Sequence, residues 1–179
     1  MNRLLVIVLA LLFINPAHAE RYLKVSQRDS SVYVIDNGQI IQQFDQVAFG
    51  LRGVQDKLAM GDDITPAGEY RITQVRGSAK FNTFIALNYP NMEDATRGLR
   101  AGIIDQNTWI NIKTAHDQGK VPPQTTALGG HIGIHGLGRG DIKIHRQYNW
   151  TQGCVALTNE QINTLARLAR PGMKVIIEP

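Results

Sequence analysis

The sequence predicts a single α+β domain that is mainly antiparallel β, with a helical insertion and a C-terminal helix and strand. The first half of the chain consists of short apolar and β-branched runs separated by turn residues, which is typical of antiparallel strands. Residues 91–124 then show the longer periodicity of helices before strand signals return. The 179 residues contain no internal repeat, low-complexity tract or long linker, which favours one domain.

Residues 1–19 have the features of a secretory signal. Arg3 precedes an unbroken apolar run at residues 4–14, and residues 17–19 have the small-x-small form of a cleavage site. The run has 11 residues, fewer than the about 20 that span a bilayer. We therefore expect export, cleavage near Glu20, no stable membrane span afterwards and a mature domain at residues 20–179.

The mature chain would carry a small positive charge. With Arg3 removed, 18 Lys and Arg remain against 15 Asp and Glu, or about +3 with neutral histidines. Such an excess suits an anionic matrix, and it does not require nucleic acid as a partner.

Five segments of the first half are predicted strands, at residues 22–26, 32–35, 39–44, 69–75 and 83–89. Asn37-Gly38 joins the second to the third, and Asn-Gly between such runs is the strongest short-range signal of a hairpin. The turn that begins the fourth strand is Thr65-Pro66-Ala67-Gly68.

The later elements are, in order, helices at residues 92–99 and 106–115, a strand at 131–135, a helix after 158 and a strand at 173–177. We interpret residues 91–124 as a helical insertion or lid, which Val121-Pro122-Pro123 ends. Thr158 and Gln161 form a capping box at the start of the last helix, and Pro171-Gly172 ends that helix.

Residues 131–154 contain three of the five histidines and the only cysteine. Exported domains usually pair their cysteines, but Cys154 has no partner within the chain. The alternation at residues 131–135 predicts that His131 and His135 share one strand face, with the isoleucines toward the core. Seven of the 17 glycines fall between residues 129 and 153, which indicates tight turns and close approach of a ligand.

This composition favours a thiol nucleophile with a histidine base. A free thiol with a pKa of about 8.5 is mostly protonated at neutral pH and needs a nearby base or cation. His135 is the best candidate, because Gly136 lets the chain turn after it and bring Cys154 back beside it. The helix N-terminus at Thr158 could further favour a thiolate. Either Asp141 or a backbone carbonyl could orient the His135 ring.

Other interpretations stay open. A zinc site could use His131, His135, His145 and Cys154, although their spacing matches no familiar zinc pattern. His131 and His145 could instead be structural, and the basic residues after Gly136 could either face solvent or bind substrate carboxylates. The candidates for substrate binding are His131, Arg139, Lys143, His145, Arg146, Trp150, Thr151 and Gln152.

The sequence resembles the L,D-transpeptidase catalytic domain of bacterial cell-wall enzymes, the YkuD-type domain. Ile134-His135-Gly136 and Thr151-Gln152-Gly153-Cys154 are similar to the family's histidine and cysteine motifs and occur in the same order. Residues 65–70 also resemble the family's Thr-Pro-x-Gly-x-Tyr turn. The resemblance covers the chain from about Tyr22 to its C-terminus.

The resemblance implies a sandwich-like β fold and a periplasmic enzyme without metal or organic cofactor. It implies that Cys154 is the nucleophile, His135 the base and the Gly136 carbonyl the group that orients the ring. The N–H groups of Gly153 and Cys154 would form the oxyanion hole. Family members act on peptidoglycan stem peptides: the thiolate attacks the carbonyl at the L-centre of diaminopimelate, D-alanine leaves, and an amine or water receives the acyl group.

One departure from the family leaves the acceptor open. Many members follow the cysteine with a hydrophobic residue and then Arg, whereas Val155-Ala156 follows it here. This version resembles a subgroup with enzymes that hydrolyse peptidoglycan or its protein attachments. Transfer to an amine and hydrolysis, including release of a wall-attached protein, are both compatible with it. A non-catalytic wall-binding module is a further alternative, against which the intact motifs argue.

Overall fold

The computed structural model describes residues 21–179. The predicted signal at residues 1–19 lies outside the described residues. Within residues 21–179, no helix is both long and apolar enough to cross a membrane.

The described residues form ten strands in two sheets. The strands are β1 (Tyr22–Ser26), β2 (Ser31–Asp36), β3 (Gln39–Asp45), β4 (Val54–Gln55), β5 (Thr65–Pro66), β6 (Gly68–Ser78), β7 (Asn82–Leu87), β8 (Gly133–Gly136), β9 (Val155–Leu157) and β10 (Lys174–Glu178). Eight form one sheet in the order β3-β2-β1-β10-β6-β7-β8-β9, and β4 and β5 form a separate parallel pair. Neighbours in the large sheet are antiparallel except β1 with β10 and β8 with β9. The predicted α+β, mainly antiparallel fold is confirmed.

The large sheet encloses one core. β6 pairs with β10 through its first residues and with β7 through its later ones, and its register with β7 shifts between Ile72 and Gln74. Buried residues from both halves of the sheet belong to one apolar cluster, among them Val25, Ile134 and Val155. The expected sandwich is thus one hydrogen-bonded sheet whose two halves share a core.

The segment after β3 closes the sheet against β9. Ala48 N donates to Ala156 O at 2.9 Å, and Ala156 N donates to Ala48 O at 2.7 Å. A further backbone bond of 2.9 Å runs from Leu51 N to Thr151 O. Because β9 has backbone partners on both sides, Cys154, which immediately precedes it, is held in a defined position.

Two capped helices confirm the helical insertion. α1 (Met92–Arg100) begins at Asn91, and α2 (Gln106–Asp117) begins at Asp105, whose side chain accepts from Thr108 N. The helices enclose a second apolar cluster. Its buried members are Ala95, Ile104, Ile112 and Leu128. The insertion therefore has a small core of its own, and its role as a lid stays a prediction.

Asp94 ties the insertion to the sheet. Its carboxylate accepts hydrogen bonds from the Tyr70 hydroxyl and from Asn91 N, each at 3.0 Å, and pairs with Arg97 at 2.6 Å. Burial raises the pKa of Asp94 to about 6 in spite of these contacts. Since Tyr70 ends the motif at residues 65–70, this network fixes that motif to α1.

A short helix, α3 (Ile142–Gln147), lies in the basic stretch after Gly136, where no helix was predicted. Asp141 caps the helix by accepting a hydrogen bond from Lys143 N at 2.7 Å. Asp141 is therefore engaged at the helix start, and no hydrogen bond among the described residues joins it to His135.

The last helix, α4 (Asn159–Leu168), starts with the predicted capping box. Thr158 Oγ1 accepts from Gln161 N at 3.2 Å, and Gln161 Oε1 accepts from Thr158 N at 2.9 Å. Gln161 also donates to Asp45 O at 2.9 Å, which joins the helix to β3. These bonds fix the start of α4 just beyond β9.

Candidate active site

The paired strands β8 and β9 place His135 and Cys154 on the same face of the sheet. Ile134 is in register with Val155, and His135 with Ala156. Ile134 and Val155 are fully buried in the core, so their strand neighbours point to the opposite face. Continuing this register by one residue sets Cys154 opposite Gly133. The imidazole and the thiol therefore project from adjacent strands, two positions apart.

His135 is held as one tautomer by its neighbour in the chain. Its Nδ1 lies 2.8 Å from the carbonyl oxygen of Gly136. A carbonyl can only accept, so Nδ1 carries the proton and Nε2 carries the lone pair. Burial, together with the charge of Lys80, lowers the pKa of His135, while the bond to Gly136 raises it. The ring is therefore neutral near pH 7 and able to accept a proton at Nε2.

Three aromatic side chains surround the His135 ring. Only 2% of the surface of His135 is exposed. Phe81 stacks on it with ring centroids 4.0 Å apart, and Phe84 lies 6.2 Å away in a nearly parallel plane. The Trp150 ring meets it edge-on, with ring centroids 5.9 Å apart and an angle of 70° between the ring planes. Phe81 and Phe84 were missed as site residues, because nothing in the sequence relates the β6–β7 turn to β8.

Cys154 is partly exposed, and its sulfur is protonated in the resting protein. Burial of the thiol raises the pKa of Cys154 to about 11, although a backbone hydrogen bond from Gly133 and the charge of Lys57 lower it. The thiol donates to His131 O at 3.5 Å. Among the described residues, no hydrogen bond joins this sulfur to the His135 ring. The expected bias toward a thiolate is thus outweighed by burial.

Threonine hydroxyls support the backbone around the thiol. Thr151 Oγ1 donates to Cys154 O at 2.6 Å and accepts from Gly153 N at 3.2 Å. The Thr65 hydroxyl also reaches Cys154 O, at 3.4 Å, and accepts from Gly50 N at 2.8 Å. The sequence predicted Thr65 only as part of a turn. Because Gly153 N–H already has an acceptor, it must exchange that bond before it can stabilise an oxyanion.

Only glycine fits position 153. Gly153 has φ +133°, and a Cβ there would lie 2.9 Å from Ile64 O. The loop that precedes β5 therefore packs directly against the residue before Cys154. Its conformation depends on Asp62, which accepts hydrogen bonds from Leu58 N, Ala59 N and Ile64 N and pairs with the buried Lys57.

His131 does not lie on the strand face that the alternation predicts. The strand begins at Gly133, and His131 has φ +56°, with its N–H bonded to Gln124 Oε1 at 2.7 Å. Its side chain is exposed, and only its carbonyl contacts the thiol. The end of the insertion, through Gln124, thus turns the chain before β8.

The predicted substrate-binding residues separate into different places. Trp150 contacts the His135 ring, and Arg139 lines the same cavity as Trp150. Lys143 and Gln152 are exposed, and Arg146 lines a different cleft beyond α3. His145 is almost fully buried, and Thr151 is buried too, with its hydroxyl bonded to Cys154 O. The basic residues therefore do not form one carboxylate site.

A cavity of about 590 Å³ opens beside the His135 ring. Its walls are mainly apolar and include Phe81 and Trp150, which both contact His135. Two exposed cations, Lys80 and Arg139, also line it, together with the carboxylate of Asp141. Such a mixture can hold an aliphatic chain that carries a carboxylate.

The zinc interpretation is not supported by the placement of its four residues. Across residues 21–179, no group of three or more His, Cys, Asp or Glu side chains is arranged to hold a metal ion. His135 uses Nδ1 for Gly136, and His145 uses Nδ1 for Trp150.

Replacing Gly133 with alanine is expected to destabilise the protein by about 1–3 kcal/mol. A Cβ there would lie 2.4 Å from Ile85 O and 2.7 Å from Phe84 Cζ, so both β7 and the ring beside His135 must move. Urea unfolding measures the loss. Gly77→Ala is the matched control, because a Cβ at that strand glycine meets nothing within 4 Å. Equal stability of the two variants would contradict the prediction.

Solved structures of L,D-transpeptidases and a cell-shape protein share this fold. The helical cell shape determining protein Pgp2 from Campylobacter jejuni matches with a TM-score of 0.56 and 22% identity, over 90% of this chain and 50% of that chain. A mutant L,D-transpeptidase from Enterococcus faecium matches with a TM-score of 0.52 and 10% identity, over 89% of this chain and 50% of that chain. The L,D-transpeptidase from Stackebrandtia nassauensis matches with a TM-score of 0.52 and 14% identity, over 89% of this chain and 56% of that chain.

The chain spans about half of the length of these three structures, and at such identities the likeness concerns the fold. No curated protein matches the chain. The family model of the YkuD L,D-transpeptidase catalytic domain matches residues 20–177, nearly the whole described structure. The chain therefore belongs to the L,D-transpeptidase catalytic domain family.

Proposed function

We propose that this protein is a periplasmic cysteine acyltransferase that acts on peptidoglycan stem peptides. Cys154 attacks the carbonyl at the L-centre of diaminopimelate, D-alanine leaves, and an amine receives the acyl group. The observation that carries the proposal is the shared sheet face of His135 and Cys154, with the His135 lone pair on Nε2. Family membership and the export signal predicted at residues 1–19 support the substrate and the location.

The protonation states favour proton transfer during the attack rather than a resting ion pair. Burial raises the pKa of Cys154 to about 11 and lowers that of His135, so thiol and imidazole are both neutral near pH 7. The thiol must turn from His131 O toward His135 Nε2. Substrate binding drives this step if the peptide displaces the weak 3.5 Å contact with His131.

In the later steps the proton passes from His135 to the leaving group. As the sulfur–carbon bond forms, the carbonyl oxygen becomes an oxyanion. The N–H groups of Cys154 and Gly153 are the proposed donors to it. The carbon–nitrogen bond then breaks, and the His135 imidazolium gives its proton to the departing D-alanine amine. Nδ1–H stays on the Gly136 carbonyl throughout, which keeps the ring oriented.

The cavity beside His135 is the proposed place for one arm of the peptide. Its apolar walls suit the aliphatic chain of diaminopimelate, and Lys80 and Arg139 suit a carboxylate. Pgp2 is named for a role in helical cell shape. We propose a comparable contribution to wall architecture for this chain, through the same chemistry.

The test is mass spectrometry of a disaccharide tetrapeptide incubated with the protein, with and without an added acceptor amine. We expect loss of D-alanine and, with the amine, a new amide. A tripeptide product in both reactions would instead assign hydrolysis, the alternative end of the same acyl-enzyme. The disaccharide tripeptide is the control, since it has no D-alanine to release. An unchanged tetrapeptide, with Cys154 still open to alkylation, would contradict the proposal.

A further inference from the structure

His145 is a buried titratable group that the proposed chemistry does not use. Only 2% of it is exposed, although it lies on α3, whose other residues are exposed. The indole Nε1 of Trp150 donates to His145 Nδ1 at 3.2 Å. An indole N–H can only donate, so Nδ1 must be unprotonated. The neutral ring therefore carries its proton on Nε2, the opposite tautomer from His135.

The Nε2 of His145 is buried and has no hydrogen-bond partner among the described residues. A buried donor without an acceptor is destabilising, and buried polar groups are normally satisfied. The tautomer follows directly from the bond to Trp150, so the orphaned donor is a consequence of accepting the indole N–H. A hydrophobic side chain would avoid this cost, but it could not hold the indole.

Trp150 connects the two histidines. The centroid of its ring lies 6.4 Å from that of His145 and 5.9 Å from that of His135. The angles between the ring planes are 65° and 70°. Its backbone N donates to Phe49 O at 3.1 Å, and Thr151 and the nucleophile loop follow it directly. Phe81 packs on the His135 ring as well, at 4.0 Å. Trp150 is thus the side chain that passes a displacement at His145 on to the base.

We propose that His145 is a positioning residue for the acyl transfer: its neutral Nδ1 fixes the Trp150 indole against His135 and thereby holds the base in its productive orientation. The inference rests on the proposed function, since it gives His145 a part in that reaction. It adds a residue outside the family motifs on which the assignment of Cys154 and His135 depends.

The charge state of His145 controls this contact. Protonation would make both ring nitrogens donors and break the bond from Trp150. Burial and the adjacent Arg146 lower the pKa of His145, which favours the accepting form. The other charged groups around this side of α3 are Asp29 and Asp45, across the cleft that His145 and Arg146 line. A positive charge on His145 would in turn lower the pKa of His135, beyond the indole.

A matched pair of substitutions tests the proposal. His145→Asn sets an amide oxygen where Nδ1 stands, so it can accept the indole N–H, and it removes the titration, although its NH2 group brings two donors of its own. His145→Leu has a similar volume and no acceptor. The readouts are the pH profile of Cys154 alkylation by iodoacetamide and the kcat and KM for D-alanine release. Emission of Trp150, in a Trp109→Phe background, reports on the indole itself.

We expect His145→Leu to lower kcat roughly tenfold with little change in KM, because misplacing a catalytic group costs rate more than binding. It should also shift the Trp150 emission and flatten the alkylation profile. His145→Asn should retain kcat within about threefold and show the wild-type emission. A leucine variant that matches the wild type in all three readouts would overturn the proposal.

Two further variants keep the outcome clear if His145→Leu fails to fold. Trp150→Phe removes the indole donor, and we expect the same loss of kcat. His145→Ala, which also removes the acceptor, should lower kcat on its own and cause no additional loss in the Trp150→Phe background, as expected for coupled residues. Independent, additive effects would overturn the proposal. Because alkylation needs no peptide, failure of the positioning role is distinguishable from failure of the proposed function, which would leave the tetrapeptide intact in every variant.

Discussion

Cys154→Ala is expected to abolish D-alanine release from the tetrapeptide, with a loss of roughly 10⁴-fold or more. The proposed reaction passes through a thioester, and alanine offers no atom that could form it. The substitution should leave the fold intact. Alanine is also small, and the hydrogen bonds lost with the sulfur include a weak one of 3.5 Å to His131 O and one from Gly133. We expect the free energy of unfolding to change by less than about 1 kcal/mol.

Intact-mass spectrometry gives the direct measurement. The wild-type protein should gain the mass of the disaccharide-tripeptide acyl group on short incubation with the disaccharide tetrapeptide, and the alanine variant should not. Cys154→Ser is the informative control, because a hydroxyl is a far weaker nucleophile than a thiol yet fills the same space. Equal turnover of the wild type and Cys154→Ala, with matching urea midpoints, would remove Cys154 from the reaction.

The order of strands and helices could be predicted from local sequence, because it depends on local signals. The hairpin at Asn37-Gly38 and the capping box at Thr158 are each specified by a few neighbouring residues. The turn predicted at residues 65–68 was wrong for its first half, because Thr65–Pro66 form β5, which pairs in parallel with β4. The pairing of the chain ends across β1 and β10, and the closure of Ala48 on Ala156, join segments more than 100 residues apart. No local pattern specifies such contacts.

The position of His131 shows where local periodicity fails. Alternation at residues 131–135 requires extended backbone throughout, but His131 adopts φ +56°. The cause is tertiary: Gln124, at the end of the helical insertion, binds its N–H. Periodicity carries no information about this contact. α3 was missed for another reason, since its six residues are too few to show a helical period.

The electrostatics of the thiol could not be predicted either. The sequence places a helix start near Cys154, which favours a lowered thiol pKa. In the structure, the capping box of Thr158 and Gln161 uses the first donors of α4, and burial raises the pKa of Cys154 to about 11. Burial depends on how the loop at residues 57–64 packs over Gly153, which only the folded chain reveals.

His135→Ala is expected to lower both D-alanine release and Cys154 alkylation near pH 7, with turnover reduced roughly 10²–10⁴-fold. The neighbour His131 provides the matched control. Its side chain is exposed and only its carbonyl meets the thiol, so His131→Asn, whose residue type tolerates positive φ, should leave alkylation within about threefold. Equal losses in both variants would indicate general damage to the loop rather than removal of a base.

The pH dependence separates a base from a structural residue. Burial lowers the pKa of His135 below its ordinary value of about 6.5, so the imidazole of the wild type is neutral at pH 6.5 and above. Activity should fall only as the pH drops through this lowered pKa. Without His135, the thiol depends on its own pKa of about 11, and the alkylation rate should rise about tenfold per pH unit from pH 7 toward pH 10. The two profiles should therefore converge at high pH, where the thiolate forms without help. A constant gap across the whole range would mean that His135 supports the fold of the site and takes no proton.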